Sequence, residues 1–216
     1  MRLRSLLIGV AIVSLSVPVM AQRRRAPQPP PPLVNADGLQ AAGFTTHWEA
    51  RLPLIEGDRI EDGYIVDEAL YVTTDLGNVY ALLADVGLIR WVHNVTEPDF
   101  RIYAPTHFRV PSGKGPVVIP TTTDTFIYDR YTGDMVYRFK PSFATGGPAV
   151  AYDNFLYMGS TGGRFYSLIV NPELAQPMVK WEVLMPGPIT ASPVLYDRFD
   201  LLIASQGGLV ASCSSR

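Results

Sequence analysis

Four copies of one short pattern run down the chain, and their spacing limits the fold more than any other feature. Gly77-Asn78-Val79-Tyr80-Ala81-Leu82 is followed by Gly87 and Trp91. Gly163-Arg164-Phe165-Tyr166-Ser167-Leu168 repeats the first half, and Trp181 closes it. Between them lies a degenerate copy, Thr123-Asp124-Thr125-Phe126-Ile127-Tyr128 with Gly133 and Tyr137. Gly208-Leu209-Val210-Ala211-Ser212-Cys213 is a weaker copy after them. The anchors at 77, 123, 163 and 208 are 46, 40 and 45 residues apart. A strand-rich repeat of about 40–45 residues marks a propeller blade. A single blade cannot bury its own apolar faces, so it must stack on its neighbours.

Between the anchors the chain reads as short β-branched and aromatic runs. In the first copy these are residues 69–74, 79–83 and 88–95, with turns at Leu76-Gly77 and Asp85-Val86-Gly87. No helical periodicity of useful length occurs outside the N-terminus. The expected fold is all-β: a β-propeller of four-stranded antiparallel blades, about four of them, either a closed small ring or half of an eight-bladed propeller. The fourth copy shows no docking strand after Cys213, whereas residues 45–51 look like a docking strand with no blade before it. Three arrangements fit. Residues 45–51 complete the last blade of their own chain, or they complete it in a second copy to give an eight-bladed homodimer, or the chain is part of a longer propeller. Closing a ring would remove a sheet edge that invites aggregation.

Hydrophobic residues make up 47% of the chain and charged residues 18%, which suits a globular β protein. The formal net charge is −2, and the only basic cluster is Arg23-Arg24-Arg25. That excludes the basic face a nucleic-acid binder needs. Residues 1–21 read as a signal peptide: Arg2 and Arg4, an apolar run from Leu6 to Met20, then a cut after Ala21. The run is short for a membrane span, which needs about 20 apolar residues. An uncleaved anchor is the alternative, since Arg23 to Arg25 put charge on its far side. Residues 22–43 form an Arg/Pro-rich flexible linker, with Pro29-Pro30-Pro31-Pro32 in an extended polyproline form. Residues 44–216 form the propeller domain. The expected location is the periplasm or outside the cell, with no stable membrane span once the signal is removed.

Little in the sequence points to chemistry. His47, His93 and His107 have no zinc-ligand spacing. There is no Gly-x-Ser-x-Gly elbow, and no glycine pair is followed by Lys-Ser/Thr. Cys213, the single cysteine, cannot form an internal disulfide. It stands where Leu82 and Leu168 stand, as a small buried hydrophobe. Asp75, Asp124 and Asp153 read as turn formers.

The repeats resemble the pyrroloquinoline-quinone-type propeller family, whose blade carries Ala-x-Asp-x-x-x-Gly-x-x-x-Trp. Ala81, Gly87 and Trp91 match it, with Leu83 where Asp is usual. Asp129 and Gly133 match in the second copy, where Ile127 replaces Ala and Tyr137 replaces Trp. Ser167 and Trp181 match in the third only with four extra residues between them. Within that family the chain looks BamB-like, that is, similar to a scaffold subunit of outer-membrane protein assembly. The resemblance implies that Ala81, Gly87, Trp91, Asp129, Gly133, Tyr137, Gly163 and Trp181 are structural docking residues. Catalytic, cofactor-binding and metal residues are expected to be none.

Two function classes follow. The first is an exported, non-catalytic propeller that acts as a protein-interaction scaffold for envelope protein partners, its sites on loops held by a rigid frame. Phe100, Tyr103 and Phe108 are candidate contacts. The second is a quinone-dependent dehydrogenase-like oxidoreductase or its degenerate relative. One cysteine rules out the vicinal disulfide that many such enzymes carry, and no acidic cluster has a metal-loop spacing.

Overall fold

The computed structural model describes residues 36–111, 113, 115–196 and 200–214. The signal peptide and most of the proline-rich linker fall outside these residues. The chain divides into a unit ending at Thr46 and a unit from His47 onward. In the first, α1 (Ala36–Ala41) is a six-residue helix in what reads as an irregular linker. Ala, Leu and Gln are strong helix formers, Asp37 complements the N-terminal dipole, and Gly43, at φ 80°, lies just beyond the last turn.

The second unit is all-β, a four-blade propeller-like arrangement. Blade 1 holds β1 (Ile60–Val66), β2 (Ala69–Thr74), β3 (Asn78–Leu83) and β4 (Ile89–Asn94). Blade 2 holds β5 (Thr106–His107), β6 (Val117–Pro120), β7 (Thr125–Tyr128) and β8 (Met135–Phe139). Blade 3 holds β9 (Val150–Tyr152), β10 (Phe155–Gly159), β11 (Arg164–Ile169) and β12 (Met178–Leu184). Blade 4 holds β13 (Val194–Leu195), β14 (Asp200–Ala204) and β15 (Val210–Ser214). Each sheet is an antiparallel meander in chain order. Blade 4 has three described strands, where four are expected.

Residues 45–51 form no strand and pair with none of the described strands. The expectation that they complete the last blade of their own chain is therefore not what the structure holds. Trp48 is committed elsewhere, to the turn after β3, as described below.

Middle strands bury both faces, so β2, β6, β7 and β10 read as nearly continuous apolar runs; the face of β2 turned away from blade 2 packs on Leu52 and Leu54. Outer strands meet solvent on one side and alternate, as in β4 and β12. Alternate residues of one strand therefore serve two interfaces. In β7, Phe126 and Tyr128 join Tyr71, Val79 and Trp91 of blade 1. Ile127, pointing the other way, joins Leu156, Met158 and Leu168 of blade 3. Tyr157 and Phe165 of blade 3 meet Leu201 and Ile203 of blade 4. On the opposite face of blade 4, Val194, Leu202 and Val210 are exposed.

The same irregularity recurs in three blades. Ala81 pairs with Trp91, Ile127 with Tyr137 and Ser167 with Trp181, and each register slips by one residue just after. A bulge of this kind bends the strand and re-aims a side chain. Here the re-aimed side chain is the large aromatic of the outer strand. Trp91 is 7% exposed, whereas Trp181 is half-buried. Trp91→Ala is expected to lower stability by about 3–5 kcal/mol, the range for removing a large core aromatic. Trp181→Ala should cost clearly less. Denaturant unfolding checks both, and a Trp91→Ala change within about 0.5 kcal/mol, the usual surface scale, would contradict this packing.

Candidate functional site

The docking residues come first because they fix everything around them. Trp91 lies over the turn that follows β7. A Cβ added at Gly133 would stand 2.6 Å from the indole Cγ, and Gly133 has φ 77°. The indole N–H donates to the Arg130 carbonyl at 3.2 Å. Trp48 does the same one blade earlier: its ring covers Gly87, at φ 70°, and its N–H donates to the Ala84 carbonyl at 3.0 Å. So the Gly and Trp of one motif copy do not meet each other. Trp91 seats on the Gly of the next blade, and Trp48 seats on the Gly of blade 1. Trp48 lies in the segment 45–51 that the sequence marks as a docking strand: its ring docks, although the segment forms no strand. Its position 43 residues before Trp91 fits the period of the repeat.

The other motif residues take local roles. Asp129 Oδ1 accepts the N–H groups of Tyr131 at 2.8 Å and Thr132 at 2.9 Å, which hold its carboxyl below the usual range. Gly163, at φ 79°, sits in the β10–β11 turn against the carbonyl of Met185. Tyr137 is buried, and burial raises its phenol pKa. The Tyr137 hydroxyl and the Trp181 indole N–H have no hydrogen-bond partner among the described residues.

A polar cluster lies in the interface of blades 1 and 2. His107 Nδ1 is 2.8 Å from Asp67 Oδ2 and 3.0 Å from Arg130 Nη1, and its Nε2 is 2.7 Å from the Tyr71 hydroxyl. The Asp67 and Tyr71 contacts fit a neutral ring whose Nδ1–H donates to Asp67 and whose Nε2 accepts from Tyr71; Arg130 Nη1 then pairs with the same Asp67 carboxylate, at 3.5 Å, and makes no hydrogen bond to the ring. Arg130, 4% exposed, also approaches Glu68 at 3.4 Å, and Arg90 reaches the same carboxylate at 3.7 Å. Asp67, Glu68 and His107 offer three ligand-type atoms within 4.8 Å of one another. The Arg130 guanidinium already supplies the cation of this group, so the set is an ion-pair knot and a poor metal cradle. Sequence spacing gave no hint of it, since 40 residues separate Asp67 from His107.

On the blade axis a pocket of about 620 Å³ is lined by Tyr64 of blade 1, Arg101 and Tyr103 before blade 2, Pro148 before blade 3, and Thr190 and Gln206 of the blade 4 end. Arg101 lies over the Tyr103 ring at 5.8 Å, and the Tyr103 hydroxyl donates to the Thr145 carbonyl at 3.0 Å. Gln206 donates to Thr190 Oγ1 at 3.1 Å. Burial and a hydrogen bond to Asp62 push the Tyr64 phenol up to about 12. This surface combines one cation, two phenols and hydroxyl and amide groups on short loops. Of the loop aromatics expected as contacts, Tyr103 lines it and Phe100 is exposed. Phe108 is not a surface contact: it is 5% exposed and packs in the core between blades 2 and 3.

Comparison with known proteins bears on the fold. No protein-family model matches the sequence, and no curated protein matches it. Among solved structures, the chain is similar to BamB from Moraxella catarrhalis, at 21% identity and a TM-score of 0.57 over 80% of this chain and 50% of that one. It is similar to the computationally designed Ika8 protein at 11% identity and a TM-score of 0.54, over 72% and 45% of the two chains. It is also similar to the computationally designed Ika4 protein at 11% identity and a TM-score of 0.56, over 79% and 98%. The chain thus spans half the length of the BamB structure it matches. Among the described residues, no helix is long and apolar enough to cross a membrane.

The buried ring of His107 gives a pH test. Burial and, less strongly, the like charge of Arg130 lower its pKa below the ordinary 6.5, outweighing the Asp67 carboxylate. A depressed folded-state pKa means that its stabilising effect is complete above about pH 6.5 and is lost as pH falls through the lower folded value. Glu68 and Asp129 are also depressed, so their share is lost only in the lower, carboxylate range. Denaturant titrations across pH 7.5 to 5 should show wild type weakening, with a flatter profile for His107→Asn. Parallel profiles would mean that the ring is solvated in the folded protein.

Proposed function

We propose that the chain is an exported, non-catalytic propeller of the BamB type that serves as an interaction scaffold for protein partners in the cell envelope. The observation that carries this reading is the axial pocket, lined from all four blades. A surface assembled from four rigid sheets keeps its shape, so a partner meets Arg101, Tyr103 and Gln206 in place and loses little affinity to ordering them. Likeness to BamB supports the scaffold reading over the dehydrogenase-like one. Export rests on the charged, apolar and small-residue pattern of residues 1–21.

A second copy of the chain is itself a fitting partner. Trp48 docks on blade 1 as Trp91 docks on blade 2, so residues 47–51 stand where an outer strand of a preceding blade would stand. β15 has one paired neighbour, β14, and the exposed Val194, Leu202 and Val210 lie on the open face of the same blade. Pairing that segment of one copy with β15 of another, in both directions, gives an eight-bladed pair. Such strand addition covers a sheet edge through backbone hydrogen bonds.

Capture from envelope extract, run beside a mass measurement in solution, tests both statements. Wild type should retain a defined envelope protein that the folded variant Arg101→Glu, Tyr103→Ala loses, and should run as a dimer. Equal capture by both proteins would remove the axial surface from the account. A stable monomer at tens of micromolar would remove the second copy. Dye-linked turnover with added quinone and calcium would overturn the scaffold reading.

A further inference from the structure

The seat that receives a docking ring is filled differently from blade to blade. In blade 1 it holds the indole of Trp48, with the Ala84 carbonyl as acceptor. In blade 2 it holds Trp91, with the Arg130 carbonyl as acceptor. The matching position of blade 3 is Val170. Its N–H donates to the Asn154 carbonyl at 2.8 Å, as the N–H of Ala84 donates to Glu68 at 3.0 Å, and both partners are shifted by 86 residues. The residue of blade 2 that corresponds to Trp91 is Tyr137, a phenol where the other two are indoles, and it packs in one cluster with Val170.

The smaller ring leaves space. A cavity of about 150 Å³ opens beside Tyr137, walled by Phe108, Ile127, Val170 and Pro172. An apolar cavity of about this volume is large enough to bind benzene. Tyr137 is 7% exposed, and its hydroxyl has no hydrogen-bond partner among the described residues. A buried hydroxyl left in that state costs free energy that a matching group would recover. The mouth is reachable: Val136, Asp153 and Pro172 are exposed at its rim.

We infer that this cavity is a socket for one aromatic side chain, an indole, presented by a polypeptide partner. The source of the ring rests on the scaffold reading above, whereas the socket itself does not. An indole fits for three reasons. The fold seats indoles at the corresponding turns of blades 1 and 2, Val170 holds the register position of the acceptor Ala84, and the Tyr137 hydroxyl supplies a polar contact inside apolar walls. Trp48 shows that the seat takes a ring from a segment outside any sheet.

Indole and N-acetyl-tryptophanamide, titrated separately into the full chain and followed by methyl NMR, test this. Both should give saturable shifts centred on the Ile127 and Val170 methyl groups. Tyr137→Trp places the repeat's own indole in the socket, and should keep the fold while weakening both probes at least tenfold. If that variant does not fold, Ile127→Phe, which narrows the wall, should weaken them in the same way. Absence of saturable shifts at these methyls, or undiminished binding by the filled variant, overturns the socket. Binding of indole without N-acetyl-tryptophanamide overturns its assignment to a polypeptide side chain. Binding of both probes, with no partner retained from envelope extract, keeps the socket and counts against the scaffold reading.

Discussion

One contact organises the molecule: an indole lies over a glycine in the turn that precedes an outer strand, Trp48 over Gly87 and Trp91 over Gly133. Three features go with it. Within the blades the pairing bulges beside the ring of the outer strand, just after Ala81, Ile127 and Ser167. The receiving turn must lack a Cβ and accept positive φ, as at Gly87 and Gly133. A carbonyl must be free to take the indole N–H, as at Ala84 and Arg130. Because the ring comes from outside the blade that seats it, no blade is complete alone, and stacking follows from the sequence of a single repeat. Where the ring is reduced to Tyr137, the interface keeps its apolar walls and gains a cavity.

Much of this was legible in the sequence because it is periodic. The spacing of the anchors pointed to blades, and the runs at 69–74 and 79–83 fall within a residue of β2 and β3. The four extra residues before Trp181 fit the long β11–β12 connection, and Ser167 does pair with Trp181. What escaped is what periodicity cannot carry. Residues 45–51 have strand-like composition, but a strand needs a neighbour, and none of the described strands lies beside them. Phe108 follows a strand of only two residues, so it reads as a loop residue although its ring is core.

The polar knot of Asp67, Glu68, His107 and Arg130 escaped for a different reason. Its members come from three turns and strand ends of two blades, and only folding brings them together. Buried charge of this kind adds little net stability compared with apolar packing, but losing one partner is costly, so it acts on register more than on strength. It sits at the end of the interface opposite the axial pocket, with Trp91 and Tyr71 in contact between the charged group and the core. The result is one frame with three different surfaces: a charged knot, an apolar cavity and a polar axial mouth.

The account depends most on Trp91 and Gly133 acting as one unit across the blade boundary. A double-mutant cycle measures that directly, using Trp91→Ala, Gly133→Ala and the pair, with stability read from denaturant unfolding. Removing the ring relieves the clash that an added Cβ meets, so the two losses should be non-additive by about 0.5–3 kcal/mol, the pair costing less than the sum. Losses that add within about 0.3 kcal/mol, the behaviour of independent sites, would contradict the central claim.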